Sequence, residues 1–266
     1  MKSIFNKEQI DYLKNNYDKK TYKELANDLG FTERQVRGKI NNMGLSKLRK
    51  FDNKYFEVID NCEKAYWLGF LYADGYIINN KSNRNYELGI ELNIKDIQVL
   101  KDFNKALGNV HKIQEKYNEK EFNGYKYNTH SCILRVYSKH IVDDLIKLNI
   151  LPNKTYKKEY PKCDKYFYDF LRGFLDGDGS IYKSKNVLYV KFTNSNYNFL
   201  KYIKNTVENN IKINMSIYKE NDSKYNLCVT KKEDCKKLLE KLYEDKNCQK
   251  LNRKYELYKT NYGSPT

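Results

Sequence analysis

Two nine-residue segments hold the side chains best placed to do chemistry. One is Trp67-Leu68-Gly69-Phe70-Leu71-Tyr72-Ala73-Asp74-Gly75; the other is Leu171-Arg172-Gly173-Phe174-Leu175-Asp176-Gly177-Asp178-Gly179. Each has small residues four positions apart, Gly69 and Ala73 in the first copy, Gly173 and Gly177 in the second. On a helix this spacing makes a flat stripe along which a second backbone can approach closely. Two such helices paired in parallel would bring Asp74 and Asp178 out side by side. Two carboxylates about 4 Å apart repel by roughly 4 kcal/mol at an effective dielectric near 20, and the negative end of each helix dipole adds to the cost. A hard divalent cation, Mg²⁺ or Ca²⁺, would relieve it by taking carboxylate oxygens, the carbonyls of Ala73 and Gly177, and water. A charge arrangement that makes little sense without an ion usually marks a functional site.

Gly75 and Gly179 are expected to stop each helix in the left-handed conformation; the bland alternative is that each Asp-Gly pair does no more than mark that turn. Two copies in register weigh against that reading as the whole explanation. An EF-hand fails as well. Asp176, Asp178 and Ser180 alternate, but Ile181 stands where that loop needs glycine and Val187 where it needs a bidentate Glu.

The elements that must position the aspartates also repeat. Each segment leads into a short strand (76–78; 180–183), a second strand (86–93; 187–194) and a helix (95–107; 197–209). Two more strands and a last helix (139–148; 232–243) complete each copy. The economical reading is two copies of one α/β unit, 61–158 and 159–250, with a tail over 251–266.

With these residues in place, the two segments resemble the double motif of the LAGLIDADG homing endonucleases in their monomeric two-repeat form, over about residues 61–250. The resemblance implies an α+β fold of two pseudo-symmetric αββαββα halves, meeting at the motif helices, with antiparallel sheets that saddle a DNA major groove. The family's acidic eighth residue falls on Asp74 and Asp178, and the residue before it, Ala73 or Gly177, offers a backbone carbonyl to the metal. The activity implied by the resemblance is Mg²⁺-dependent cleavage of double-stranded DNA at a long site, leaving short 3′ overhangs. The sixth position departs, being Tyr72 in one copy and Asp176 in the other; it is not the metal ligand. The family also places a Lys and a Gln or Asn around the attacking water. Asn194, Arg135 and Lys231 are the candidates by position, with ordinary surface polarity as the alternative for each. Strand segments 79–86, 112–126, 182–189 and 213–225 are expected to face DNA, their alternating Tyr, Lys, Asn and Glu suiting groove contact and phosphate anchoring.

Residues 1–46 read as a separate all-α unit of three short helices. Thr21 with Glu24, and Thr32 with Gln35, form capping boxes that start the second and third helices, and Gly30 ends the second. The stretch from Thr21 to Leu45 resembles helix-turn-helix segments of DNA-binding proteins. On the third helix Arg34, Gln35, Arg37, Lys39, Asn41 and Asn42 are candidates for base and phosphate contact. Residues 47–60 read as a basic linker in which Arg49 and Lys50 could follow the phosphate backbone.

The whole composition agrees. A net charge of +16, from 50 basic and 34 acidic residues, points to a polyanionic partner. No apolar run reaches the roughly 18 residues needed to span a bilayer, and a signal-peptide core is missing, so a soluble, intracellular protein is expected. The six cysteines are scattered without a CxxC pair and only three histidines occur, which argues against zinc fingers and a disulfide framework. Two other roles suit the same fold: an intron RNA maturase, and a transcription regulator combining a helix-turn-helix with a degenerate core. The intact pair Asp74 and Asp178 favours cleavage.

Overall fold

The computed structural model describes residues 4–17, 19–45, 51–122, 124–153, 158–184, 187–245 and 247–263. They fall into two compact units that divide at Phe51 and Asp52.

The N-terminal unit consists of α1 (Lys7–Asn16), α2 (Tyr22–Leu29) and α3 (Glu33–Asn42). All three start with a reciprocal cap: Asn6 with Gln9, Thr21 with Glu24, and Thr32 with Gln35. Each cap satisfies backbone N–H groups that a helix start leaves without partners. Gly30 has φ 70°, the left-handed turn that ends α2 and redirects the chain into α3. Phe5, Leu13, Leu25, Ala26, Val36 and Ile40 form its core.

The second unit is built from two copies of one motif. The first runs α4 (Cys62–Asp74), β1 (Gly75–Asn80), β2 (Asn85–Asn93), α5 (Ile97–Ala106), β3 (Ile113–Phe122), β4 (Tyr125–Tyr137) and α6 (Lys139–Lys147). The second runs α7 (Phe167–Asp178), β5 (Gly179–Ser184), β6 (Val187–Asn194), α8 (Tyr197–Ile211), β7 (Ser216–Asn221), β8 (Lys224–Val229) and α9 (Lys232–Leu242). Each copy folds into a four-stranded antiparallel sheet, in the orders β1-β2-β4-β3 and β5-β6-β8-β7. The fold is therefore α+β, with two pseudo-symmetric halves after an all-α unit.

Strand periodicity sets which face is buried. In β6, Leu188, Val190 and Phe192 are buried while Tyr189, Lys191 and Thr193 point to the other, more open face. The helices cover the buried face. In the first half Trp67 packs on Phe103, with centroids 4.9 Å apart; in the second, Phe174 meets Phe199 at 4.8 Å.

Three expectations are corrected. Gly75 (φ −73°) and Gly179 (φ −97°) are extended rather than left-handed, because each motif helix passes straight into a strand. Glycine is needed there for space: a Cβ at Gly75 would lie 2.7 Å from the Leu71 carbonyl oxygen, and one at Gly179 2.6 Å from that of Leu175. Within the stretch read as linker, Tyr55 and Phe56 are buried, and Phe56 packs on Phe103 with centroids 6.3 Å apart. The stretch read as a tail holds a further helix, α10 (Asn252–Tyr262).

Candidate functional site

Helices α4 and α7 lie in parallel against each other along their glycine-bearing faces. A Cβ at Gly69 would lie 2.0 Å from the Phe170 carbonyl oxygen, and one at Gly173 1.9 Å from that of Tyr66. Such distances leave no room for any side chain, so glycine is what permits the approach. One turn further on, a Cβ at Gly177 would lie 2.3 Å from the Ala73 Cβ and 3.3 Å from Asp74 Oδ2. The Asp74 carboxylate thus lies beside the backbone that immediately precedes Asp178.

The sixth position of each motif crosses the seam. Asp176 is buried and accepts hydrogen bonds from Tyr66 Oη (2.9 Å) and from the Leu251 N–H (2.7 Å). Burial pushes its carboxyl above the usual carboxylate range. Tyr72, its counterpart on α4, inserts its ring into the second half against Phe199 (4.7 Å) and Phe174 (5.9 Å). Burial and then the nearby Asp178 carboxylate raise the Tyr72 hydroxyl well above its ordinary value. From α4, Tyr66 thus reaches the Asp176 carboxylate on α7 and Tyr72 packs into the second half, so two side chains tie the motif helices together across the seam.

A cleft of about 290 Å³ opens at Asp178, lined by Tyr72, Ala73, Thr193, Asn194, Ser223 and Lys224 among others. Asn194 therefore shares the cleft with Asp178, its Oδ1 accepting from the Asn196 N–H at 2.9 Å. Lys231 does not. It is exposed and comes after β8, at the far end of that strand from Ser223 and Lys224. Strand order explains the difference: β8 runs away from the aspartates, so its first residue and not its last meets the cleft. Lys224 belongs to a segment expected to face DNA, yet sequence reasoning misses it as a site residue, because one lysine among many carries no spacing signal.

In the first half Arg135 sits on the open face of the sheet, where it pairs with Gly89, the partner of Tyr76. Its Nε is 3.2 Å from Glu87 Oε1 and its Nη1 donates to Gln114 Oε1 at 2.8 Å. The Tyr76 hydroxyl donates to the same Glu87 oxygen at 2.6 Å, and burial followed by Glu87 pushes that hydroxyl up to about 12. Gly89 makes room for the Tyr76 ring, since a Cβ there would lie 2.1 Å from it. A second cluster lies alongside, where Glu91 accepts from Lys116 Nζ (2.8 Å) and Ser131 Oγ (2.7 Å). The Lys116 hydrogen bond holds the Glu91 carboxyl below its usual range.

The second sheet has a different floor. Tyr182 and Tyr189 stack with centroids 5.3 Å apart, Thr193 Oγ1 donates to Asn226 Oδ1 (2.7 Å), and Asn226 donates to Glu220 (3.0 Å). The open face of the first sheet thus carries ion pairs around Glu87 and Glu91, and that of the second a stacked Tyr pair and a hydrogen-bond chain. Both present side chains that can hydrogen-bond or stack.

In the N-terminal unit Arg34, Gln35, Arg37, Asn41 and Asn42 are exposed and Lys39 is half-exposed. Gln35 is committed to the cap, where its Oε1 accepts from the Thr32 N–H at 2.9 Å. Arg37 lies over the Tyr22 ring and Lys39 over that of Phe5. Arg49 and Lys50 lie outside the described residues.

Among the described residues no group of three or more His, Cys, Asp and Glu is gathered in a way that could hold a metal. An ion at the helix tips would rest on two carboxylates, backbone carbonyls and water. These are all hard oxygen donors, the set that Mg²⁺ and Ca²⁺ accept. Among the described residues no helix is long and apolar enough to cross a membrane.

Several known proteins are similar to this chain. The uncharacterized protein MJ0314 of Methanocaldococcus jannaschii is 28% identical over 165 residues, which cover 60% of this chain and 59% of that protein, so the chain spans about three fifths of its length. Solved structures with a similar fold include the homing endonuclease I-WcaI bound to its DNA recognition sequence (15% identity, 77% of this chain and 90% of that one, TM-score 0.49). Mesophilic variants from the homing endonuclease I-DmoI match at 18% identity, over 73% of this chain and 95% of theirs, with TM-score 0.47. Full-length DUF199/WhiA from Thermatoga maritima matches at 14% identity, over 82% and 66%, with TM-score 0.46. The LAGLIDADG-like domain model matches residues 61–147 and 168–243, one segment in each half and together more than half of the sequence, and the chain belongs to that family.

Proposed function

We propose that this chain is a site-specific, metal-dependent double-strand DNA endonuclease that acts as a monomer on a long recognition site. The observation that carries the reading is the meeting of Asp74 with the Gly177 backbone just before Asp178, beside the cleft into which Asp178 opens. In this reading Asp74 and Asp178, with the carbonyls of Ala73 and Gly177, hold Mg²⁺ or another hard divalent ion. The ion supplies charge stabilisation at the scissile phosphates and lowers the pKa of a bound water. Asn194 and Lys224 face the same cleft and would order the attacking water or the phosphate; Arg135 would do so from the first sheet. The open faces of the two sheets contact the groove, with Arg135, Lys116 and Lys191 near phosphates. The N-terminal unit acts as a helix-turn-helix that presents Arg34, Arg37, Asn41 and Asn42 to DNA. The net charge of +16 suits this partner.

The test is incubation of the protein with a library of long duplexes and Mg²⁺, and then sequencing of the ends. Double-strand breaks at one extended site are expected. EDTA and Asp178→Asn should each abolish them while DNA binding persists. Cutting that survives in the Asp74→Asn/Asp178→Asn double variant would remove the metal mechanism.

A further inference from the structure

Residues beyond the matched segments fold back onto α7. Arg172, only 3% exposed, donates from Nε to the Gln249 carbonyl (2.8 Å), from Nη1 to that of Leu242 (2.7 Å), and from Nη2 to Asp169 (2.6 Å). The Leu251 N–H caps Asp176. The chain then enters α10, whose first turn carries Lys254.

Lys254 is 2% exposed. Its Nζ donates to the carbonyls of Leu175 (2.5 Å), Asp176 (2.8 Å) and Gly179 (2.7 Å). Three donated hydrogen bonds require the ammonium form, because a neutral amine has only two N–H groups. A full positive charge is therefore fixed inside the protein at the C-terminal end of α7, where the helix dipole is negative. It bonds to residues on both sides of Gly177 and Asp178. Burial, the larger influence, lowers its pKa to about 8, while the carboxylates of Asp176 and Asp74 pull it back up, so the ammonium feels the field of the candidate centre.

A buried lysine here has two consequences for a cation at the aspartates. It occupies three carbonyls that would otherwise add negative potential to the tip, and it places like charge next to any ion that arrives. We infer that Lys254 is a resident counter-cation of the Asp74–Asp178 tip, a positioning residue that keeps the affinity of the centre for a divalent ion low. It also lets the two acidic helix ends stay together before any ion binds. This rests on the metal reading proposed above. In that setting the phosphates of a docked duplex supply the negative charge that brings the ion in, so loading of the centre comes after DNA docking.

The sign of the effect separates this role from a plain structural cap. Mn²⁺ alone, without DNA, is titrated into the full chain and free ion is monitored by electron paramagnetic resonance, for wild type, Lys254→Met, Lys254→Gln, Asp178→Asn and each Lys254 variant combined with Asp178→Asn. Both Lys254 variants should bind Mn²⁺ at least ten-fold more tightly than wild type, and Asp178→Asn should erase the gain. The Gln variant keeps N–H donors for the carbonyls and covers the case in which the Met variant does not fold, as judged by circular dichroism. A cap whose loss only loosens the helix end would leave binding unchanged or weaker, and that result in folded variants overturns the inference. Tighter binding that persists with Asp178→Asn would place the gained ion away from the tip and also overturn the inference, whereas the metal reading itself falls only if the Asp74→Asn/Asp178→Asn variant still cuts DNA.

Discussion

Gly177 lies against Asp74 so closely that a Cβ on the glycine would be 3.3 Å from the carboxylate oxygen and 2.3 Å from the Ala73 Cβ. The same seam is tighter still at Gly173, where the obstacle is the Tyr66 backbone carbonyl, which cannot move without its helix. Gly173→Ala must therefore push α4 and α7 apart. Overpacking of this kind costs about 1–3 kcal/mol or more, and the loss should appear as a lower midpoint in chemical unfolding. Gly38, also in mid-helix, has nothing within 4 Å of its added Cβ. Gly38→Ala should stabilise the N-terminal unit by up to about 1 kcal/mol through helix propensity. Equal effects at the two positions would show that the seam is not the constraint.

Most of this frame is legible in the sequence because the information is local or periodic. Small residues four apart point to the helix pairing, Thr21 and Thr32 mark the caps, and alternation in 187–194 marks β6 with its observed bounds. Legibility fails where long-range placement decides. Lys231 and Lys224 are alike as residues, and only strand direction tells which of them meets the cleft. Lys254 lies in a stretch rich in Lys and Tyr that reads as a tail, and its burial becomes visible only once the chain returns to α7. Glycine is needed at 75 and 179, though for room and not for a left-handed turn, since the two requirements leave the same mark on a sequence.

The pairing of Arg135 with Glu87 gives a second prediction. Glu87 is 6% exposed and shares its Oε1 between Arg135 and the Tyr76 hydroxyl. Arg135→Met leaves a buried carboxylate without its cation, which costs about 3 kcal/mol when burial is deep. The Arg135 side chain is itself 27% exposed, so solvent screening reduces the expected loss to about 1–2 kcal/mol. Glu87→Gln in the same chain should recover part of it, giving a coupling energy of at least about 0.5 kcal/mol in a double-mutant cycle. Strict additivity of the two substitutions would mean that the pair is a surface contact with no energetic consequence. Any fall in cleavage caused by Arg135→Met but not restored by the second substitution would belong to DNA contact and not to folding.

The N-terminal unit has its own core, from Phe5 to Ile40, and three capped helices, so its removal at the Phe51–Asp52 boundary leaves the second unit's core intact. If α3 touches DNA, deletion of residues 1–50 should weaken binding at every salt concentration and flatten the dependence of log K on log[salt]. Each phosphate that is no longer neutralised reduces that slope by about 0.9, so three or four of them would lower it by roughly three. Cleavage by the shortened chain should persist at saturating protein, because Asp74, Asp178 and their cleft all lie in the second unit. Replacing Arg34 and Arg37 with alanine in the full chain refines the result. A weakening confined to one or two base positions would mark base reading, whereas a uniform weakening with a smaller slope would mark phosphate binding. A slope unchanged by the deletion would show that α3 does not touch the duplex, and its exposed Arg and Asn residues would then be an ordinary solvated face.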